Sequence, residues 1–142
     1  MGEGDPQFIT VGSGPTERRI AYLKQPPASA NKPGLLWLIG LKSDMVSTKA
    51  EALAKWTAER RLGLMRFDYS GHGRSGGGFE DATLSDWLDE SVALFEQTSG
   101  PQILVGSSTG AHVALLLLRR LMQDDAEQAR RVRGLVLIAP AW

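Results

Sequence analysis

The sequence contains no cysteine, which excludes disulfides, thiolate-bound metals and a cysteine nucleophile. Histidine is nearly as scarce. His72 and His112 are the only two, and their separation makes no metal-ligand motif. Neither sign of charge is in excess, because 16 Lys and Arg balance 16 Asp and Glu. Without such a bias there is no electrostatic footprint for nucleic acid or for an anionic membrane as partner. Long apolar runs are also missing: residues 35–41 and 113–118 fall far short of the about 20 needed to cross a bilayer. The first six residues are polar and acidic, with no charged-then-apolar leader. These absences set a default of one soluble cytoplasmic domain, and 142 residues at 42% apolar composition can bury a sizeable core.

What is present alternates in type. After a flexible tail over residues 1–7, residues 8–11 and 18–22 read as short strands joined by the turn Gly12-Ser13-Gly14-Pro15. Residues 24–34, rich in Pro, Ala, Ser and Asn, read as a surface loop. Residues 35–39 are apolar on both faces, as in a central strand covered by helices. A helix follows with Thr48 as N-cap and Glu51 completing a capping box. Its apolar stripe is Ala50, Leu53, Ala54, Thr57 and Ala58. The next strand, 64–68, runs into the glycine-rich segment 70–78. A second helix starts near Thr83, capped with Asp86, and lays Leu84, Trp87, Leu88, Ser91 and Phe95 along one side. Gly100-Pro101 ends it before a strand over 102–106. A third helix runs to about Met122, a charged stretch extends or follows it, and residues 134–139 make a last buried strand. A hairpin, three strand–helix units and a strand predict an α/β fold, a mostly parallel sheet flanked by helices.

The turn Gly106-Ser107-Ser108-Thr109-Gly110 stands between an apolar strand and a helix. In that setting G-x-S-x-G is the pattern of a nucleophile elbow, which lifts a serine oxygen above a sheet edge. The alternative is a glycine-flanked turn whose serine merely caps the helix. The elbow reading makes Ser108 the nucleophile of an acyl transfer, with Gly106 and Gly110 where a Cβ would not fit. Such a serine needs two backbone N–H groups aimed at the developing oxyanion. Thr109, at the helix N-terminus, supplies one. The loop after the 35–39 strand, Gly40-Leu41-Lys42, supplies the other through Leu41.

Other residues invite chemistry. Gly71-His72-Gly73-Arg74-Ser75-Gly76 matches G-x-G-x-x-G, but further glycines and Phe79-Glu80-Asp81 intervene before any helix that could meet a pyrophosphate. No lysine follows to make a phosphate-binding loop, so no cofactor is expected there. Asp68, at a strand end, has the position of a catalytic acid, but the preferred reading is that it accepts N–H groups of the turn that follows. Ser43 and Asp44 shape the Leu41 loop, and His72 serves its own turn.

Together these stretches, Gly40-Leu-Lys-Ser-Asp-Met45 with Thr48-Lys-Ala50, Arg66-Phe-Asp-Tyr-Ser-Gly-His-Gly-Arg-Ser75, Gly100-Pro-Gln-Ile-Leu-Val-Gly-Ser-Ser108 and the less specific Gly134-Leu-Val-Leu-Ile-Ala-Pro140, resemble the α/β-hydrolase superfamily. Within it they are most similar to the abhydrolase domain-containing protein 10 branch and its bacterial homologues. The resemblance implies an esterase or thioesterase with a Ser-Asp-His triad, Ser108 as nucleophile, no metal or cofactor, and a small-molecule or acyl-protein ester or thioester as substrate. Where the family usually continues Gly-Gly-Trp after the elbow, this chain has Gly110-Ala111-His112. The triad acid and histidine follow the serine in this fold, whereas the sequence stops at Trp142, just past the sixth family strand. His112 lies one turn along the serine's own helix. At about 1.5 Å per residue, Asp124 is about 24 Å away, so it, Asp125 and Glu127 lie far outside the about 3 Å of a hydrogen bond. His72 belongs to another loop. The expectation is therefore the N-terminal portion of a hydrolase domain, residues 8–142, with an unfinished triad. An open apolar edge at residues 135–138 supports a competing reading, a non-catalytic module that pairs with a partner or a second copy.

Overall fold

Residues with one buried face settle at the rim of the sheet, and residues apolar on both faces settle at its centre. The computed structural model describes residues 5–140. Strands β1 (Gln7–Val11) and β2 (Arg18–Gln25) form an antiparallel pair with Ile9 opposite Ile20. β3 (Gly34–Leu38) and β4 (Gly63–Phe67) are buried throughout and run parallel to each other. β5 (Gln102–Ser107) lies parallel to β3, and β6 (Val132–Ile138) parallel to β5. The order across the sheet is β1-β2-β4-β3-β5-β6, so a parallel core carries an antiparallel hairpin on one side.

The structure moves several sequence boundaries for identifiable reasons. β2 runs on to Gln25 because residues 22–25 pair with β4, Tyr22 opposite Phe67. Gln7 already pairs with Tyr22, so the expected tail gives up its last residue, while residues 1–4 lie outside the described ones. β6 is half-buried, not buried: it pairs only with β5 among the described residues, and Val136 stays 47% exposed.

Among the described residues four α-helices pack on the sheet. α1 (Thr48–Glu59) is capped by Ser47, not Thr48: the Ser47 hydroxyl accepts the Ala50 N–H, and Thr48 is already the first helical residue. Glu51 is therefore no cap partner; its carboxylate takes the Arg66 Nη1 at 2.8 Å. Ala50 and Thr57 are buried and Leu53 and Ala54 half-buried, whereas Ala58 faces solvent. α2 (Leu84–Glu96) has the expected capping box. The Thr83 hydroxyl accepts the Asp86 N–H at 3.1 Å and the Asp86 carboxylate accepts the Thr83 N–H at 2.9 Å. Trp87, Leu88, Ser91 and Phe95 are buried, but Leu84 is exposed. α3 (Thr109–Asp124) buries Val113, Ala114, Leu117 and Leu121, and the short α4 (Ala126–Arg130) leads into β6. Leu36, Leu38, Leu104 and Leu117 are fully buried between these layers, each contributing about 1.5–3 kcal/mol.

Candidate active site

Three chain reversals meet at the carboxyl ends of β3, β4 and β5. The first joins β5 to α3. Ser108 sits there at φ 57°, ψ −119°, a conformation that costs about 1–3 kcal/mol for a residue other than glycine and persists only where surroundings enforce it. The enforcement is visible. The Ser108 N–H donates to Ile138 O at 2.9 Å, and Ser108 O accepts the Ala111 N–H at 3.0 Å. A Cβ on Gly106 would run into the Gly110 carbonyl and come within 2.7 Å of Ala111 Cα. A Cβ on Gly110 would overlap the Leu38 carbonyl oxygen and lie 2.6 Å from that of Ile39. Both glycines stand where the turn presses on neighbouring chain. The half-buried Ser108 makes no side-chain cap to α3, so its hydroxyl is not used as a helix cap.

The second reversal leaves β3. A Cβ on Gly40 would lie 3.3 Å from Ser107 O and 3.4 Å from Ser108 Cβ, so this loop passes directly against the serine. Gly40 O accepts the Ser43 N–H at 3.2 Å, closing a turn in which Lys42 has φ 60°. The Asp44 carboxylate accepts the Val46 N–H at 2.9 Å. Among the described residues the N–H groups of Leu41 and Thr109 donate no hydrogen bond.

The third reversal leaves β4, and it holds the second. Asp68 accepts the Arg74 N–H of its own turn at 2.9 Å and the Met45 N–H of the neighbouring loop at 2.8 Å. Arg66 Nη1 donates to Met45 O at 3.0 Å. His72 Nε2 accepts the Lys42 N–H at 2.9 Å, and Nδ1 lies 3.1 Å from Ser70 O. Because a backbone N–H points at Nε2, the ring proton belongs on Nδ1, where it donates to Ser70 O. The His72 ring is boxed by Tyr69, Phe79 and Trp87 at centroid distances of 5.6, 5.3 and 5.3 Å. Trp87 in turn donates its Nε1–H to Ser70 O at 3.1 Å, so α2 is fastened to the same turn. Burial pushes the Asp68 carboxyl above the ordinary range, against its two N–H partners, and the Asp44 charge adds to the rise. The fully buried Glu90 carboxyl is likewise raised by burial, although Arg18 Nε lies 2.8 Å from it and the Ser70 N–H donates to it at 2.8 Å.

The structure thus brings Ser108, Gly106, Gly110, Thr109, Gly40 and Leu41 to one place, with His72 behind the Leu41 loop. His72 does more than serve its own turn, and Arg66 carries a role the sequence reading did not give it. An arginine inside an otherwise apolar strand was the available signal. His112 is half-buried in α3, while Asp124, Asp125 and Glu127 lie at the other end of that helix or beyond it. The Gly71–Gly76 stretch is a closed loop, with the Gly71 N–H donating to Gly76 O at 2.9 Å. It is followed by a single 3-10 turn, Phe79–Asp81, before α2, so among the described residues no helix opens directly from those glycines. A cleft of about 570 Å³ opens beside them, lined by Lys42, Asp44, His72, Phe79 and Asp81.

Residues 43–142 match the Hydrolase_4 family, serine aminopeptidase S33. The human mitochondrial palmitoyl-protein thioesterase ABHD10 is 37% identical over 97 residues, 68% of this chain and 31% of that protein. Its bovine counterpart is 35% identical over 103 residues, 72% of this chain and 33% of that protein. A putative hydrolase from Agrobacterium vitis S4 superposes with a TM-score of 0.89 at 42% identity, covering 96% of this chain and 52% of that one. Mouse alpha/beta hydrolase domain-containing protein 10 gives 0.76 at 27% identity, covering 94% and 50%. The chain therefore spans about a third of the curated relatives it matches and about half of these solved structures. Both of these curated relatives are named as mitochondrial proteins. No helix among the described residues is long and apolar enough to cross a membrane.

Proposed function

Because the chain belongs to the Hydrolase_4 family and has the α/β-hydrolase fold, we propose that it carries the nucleophile of a serine hydrolase that cleaves carboxylic ester or thioester bonds. The observation that carries this reading is the backbone of Ser108, held at positive φ between β5 and α3 and against the Gly40–Leu41 loop. A serine placed so, with a hydroxyl that does not cap its helix, is a nucleophile elbow.

In this reading Ser108 Oγ attacks the acyl carbon, and the carbonyl oxygen gathers negative charge. The N–H groups of Thr109 and Leu41 receive it. Both are unengaged among the described residues, and Thr109 adds the positive end of α3. A donor of this kind supplies about 2.7–4 kcal/mol of transition-state stabilisation. Collapse expels the alcohol or thiol, and water then releases the acid from the acyl-serine. His72 is not the base, since its Nε2 is occupied by the Lys42 N–H. We assign the base that takes the Ser108 proton and passes it to the leaving group to a His, and the acid that orients it to an Asp, both outside residues 5–140, following the serine, acid, histidine order of this fold. The thioesterase names of the curated relatives favour an acyl-protein thioester over other substrates.

A fluorophosphonate probe tests the assignment. Covalent labelling that disappears in Ser108→Ala is expected. Hydrolysis of a short p-nitrophenyl ester by this chain should be slow, and faster when the coding sequence beyond Trp142 is included. Fast hydrolysis that survives Ser108→Ala would end the proposal.

One observation favours a second reading, an assembly module. Among the described residues β6 pairs on one side only. Its Val136 and Ile138 border an apolar groove of about 480 Å³ with Leu35, Trp37, Leu53 and Trp56. A second copy could extend the sheet there.

A further inference from the structure

The turn that presents Leu41 is of an uncommon kind. Gly40 O accepts the Ser43 N–H, which makes Leu41 and Lys42 its two central residues. Lys42 has φ 60°, and a positive φ at the second central position belongs to the type II family, where glycine or asparagine is normal. Relative to the commoner type I turn, type II has the peptide between the central residues turned over. A lysine there prefers the type I form, so something outside the turn must select the other.

That something is His72. Its Nε2 accepts the N–H of the Leu41–Lys42 peptide at 2.9 Å, while Nδ1 is fixed on Ser70 O. Turned the other way, the same peptide would present a carbonyl oxygen to the lone pair of Nε2, which repels it. The ring cannot swing away, being enclosed by Tyr69, Phe79 and Trp87. Lys42 closes the arrangement, with its Nζ 5.1 Å from the centre of the Phe79 ring. Asp68 and Arg66 hold the far side of the loop at Met45, through its N–H and its carbonyl, and leave the Leu41–Lys42 peptide to His72.

We infer that His72 is a positioning residue: its Nε2 holds the Leu41–Lys42 peptide in the turned-over form and so fixes where the Leu41 backbone stands beside Ser108. The inference rests on the oxyanion role proposed for Leu41, and it adds a named acceptor on which the loop geometry depends.

Two variants and one direct observation test it. His72→Phe keeps a ring in the aromatic box without an acceptor; His72→Gln keeps a side-chain oxygen that can accept the Lys42 N–H. Amide hydrogen exchange should show Lys42 protected in the wild type, at least about tenfold less protected in His72→Phe, and restored in His72→Gln, with Leu36 in β3 unchanged throughout. Fluorophosphonate labelling of Ser108 should slow by about tenfold or more in His72→Phe and recover in His72→Gln. Thermal unfolding identifies a variant that has lost its fold. Should His72→Phe fail that control, nitrogen–nitrogen scalar coupling between the Lys42 amide and His72 Nε2 in the wild type decides, and its absence overturns the inference. Unchanged Lys42 exchange in a folded His72→Phe also overturns it, as does unchanged labelling. A wild type that takes no label even when the coding sequence beyond Trp142 is included refutes the hydrolase reading, while the exchange and coupling results still decide whether His72 holds the turn.

Discussion

Gly110 is the residue at which a single methyl group does most harm. An alanine Cβ there would overlap the Leu38 carbonyl oxygen and crowd that of Ile39, so β3 and α3 could not both keep their places. Gly110→Ala should cost about 1–3 kcal/mol or more, read as a lower urea midpoint, and should abolish labelling of Ser108. Asp68 is the polar counterpart. It satisfies one N–H from each of two loops, and Asp68→Ala would leave both donors unpaired at about 1–3 kcal/mol each. The raised carboxyls of Asp68 and Glu90 also fix a direction with pH. Each keeps its proton in the folded chain at pH values where the unfolded chain has released it. Their contribution to stability is therefore present below the ordinary carboxylate value of about 4. It is lost as pH rises through their raised folded values, and flat above. Urea midpoints should fall as pH climbs from about 4 through that window, and Glu90→Gln should remove part of the fall.

At the scale of elements, α2 acts as the brace for the site. Its Glu90 takes Arg18 from β2 and the Ser70 N–H from the turn after β4, and its Trp87 takes Ser70 O. The Glu90 side chain is fully buried and that of Arg18 only 11% exposed. Arg18→Met would strand a buried carboxyl and should cost about 3–5 kcal/mol, measured by chemical denaturation. Truncating the Thr83 cap at the helix start should cost about 1 kcal/mol, a contrast that separates brace from cap. The legibility of these elements followed their range. The Thr83 cap lies within four residues and can be read; the α1 cap differs by one residue, because the Thr48–Glu51 spacing imitates a capping box while it is the Ser47 hydroxyl that accepts the Ala50 N–H. The strain at Ser108 was legible because Gly106 and Gly110 flank it at fixed spacing. The acceptor role of His72 toward Lys42 was not, since those residues are thirty apart and meet only through the order of β3 and β4.

For the molecule as a whole, β6 is the strand on which the assembly reading depends. Its outer edge is unpaired among the described residues, and the exposed Val136 lies beside the exposed Trp56. Light scattering at micromolar concentration should detect self-association, and Val136→Lys should reduce it by charging the shared face. A clean monomer in both would remove the assembly reading. The sheet order places β3 between β4 and β5, so its two parallel partners come from far along the chain, with Leu36 opposite both Met65 and Leu104. Pairings of that range fold slowly, which widens the time during which the apolar strands stand open. The hydrogen bond from the Ser108 N–H to Ile138 O puts the serine's backbone at the end of that schedule. On a ribosome the chain emerges from its N-terminus, and the turn at Ser108 is made well before the residue that secures it. A nascent chain halted before Ile138 lacks the carbonyl that accepts the Ser108 N–H, so the serine's turn gains that hydrogen bond only once its last described strand has docked.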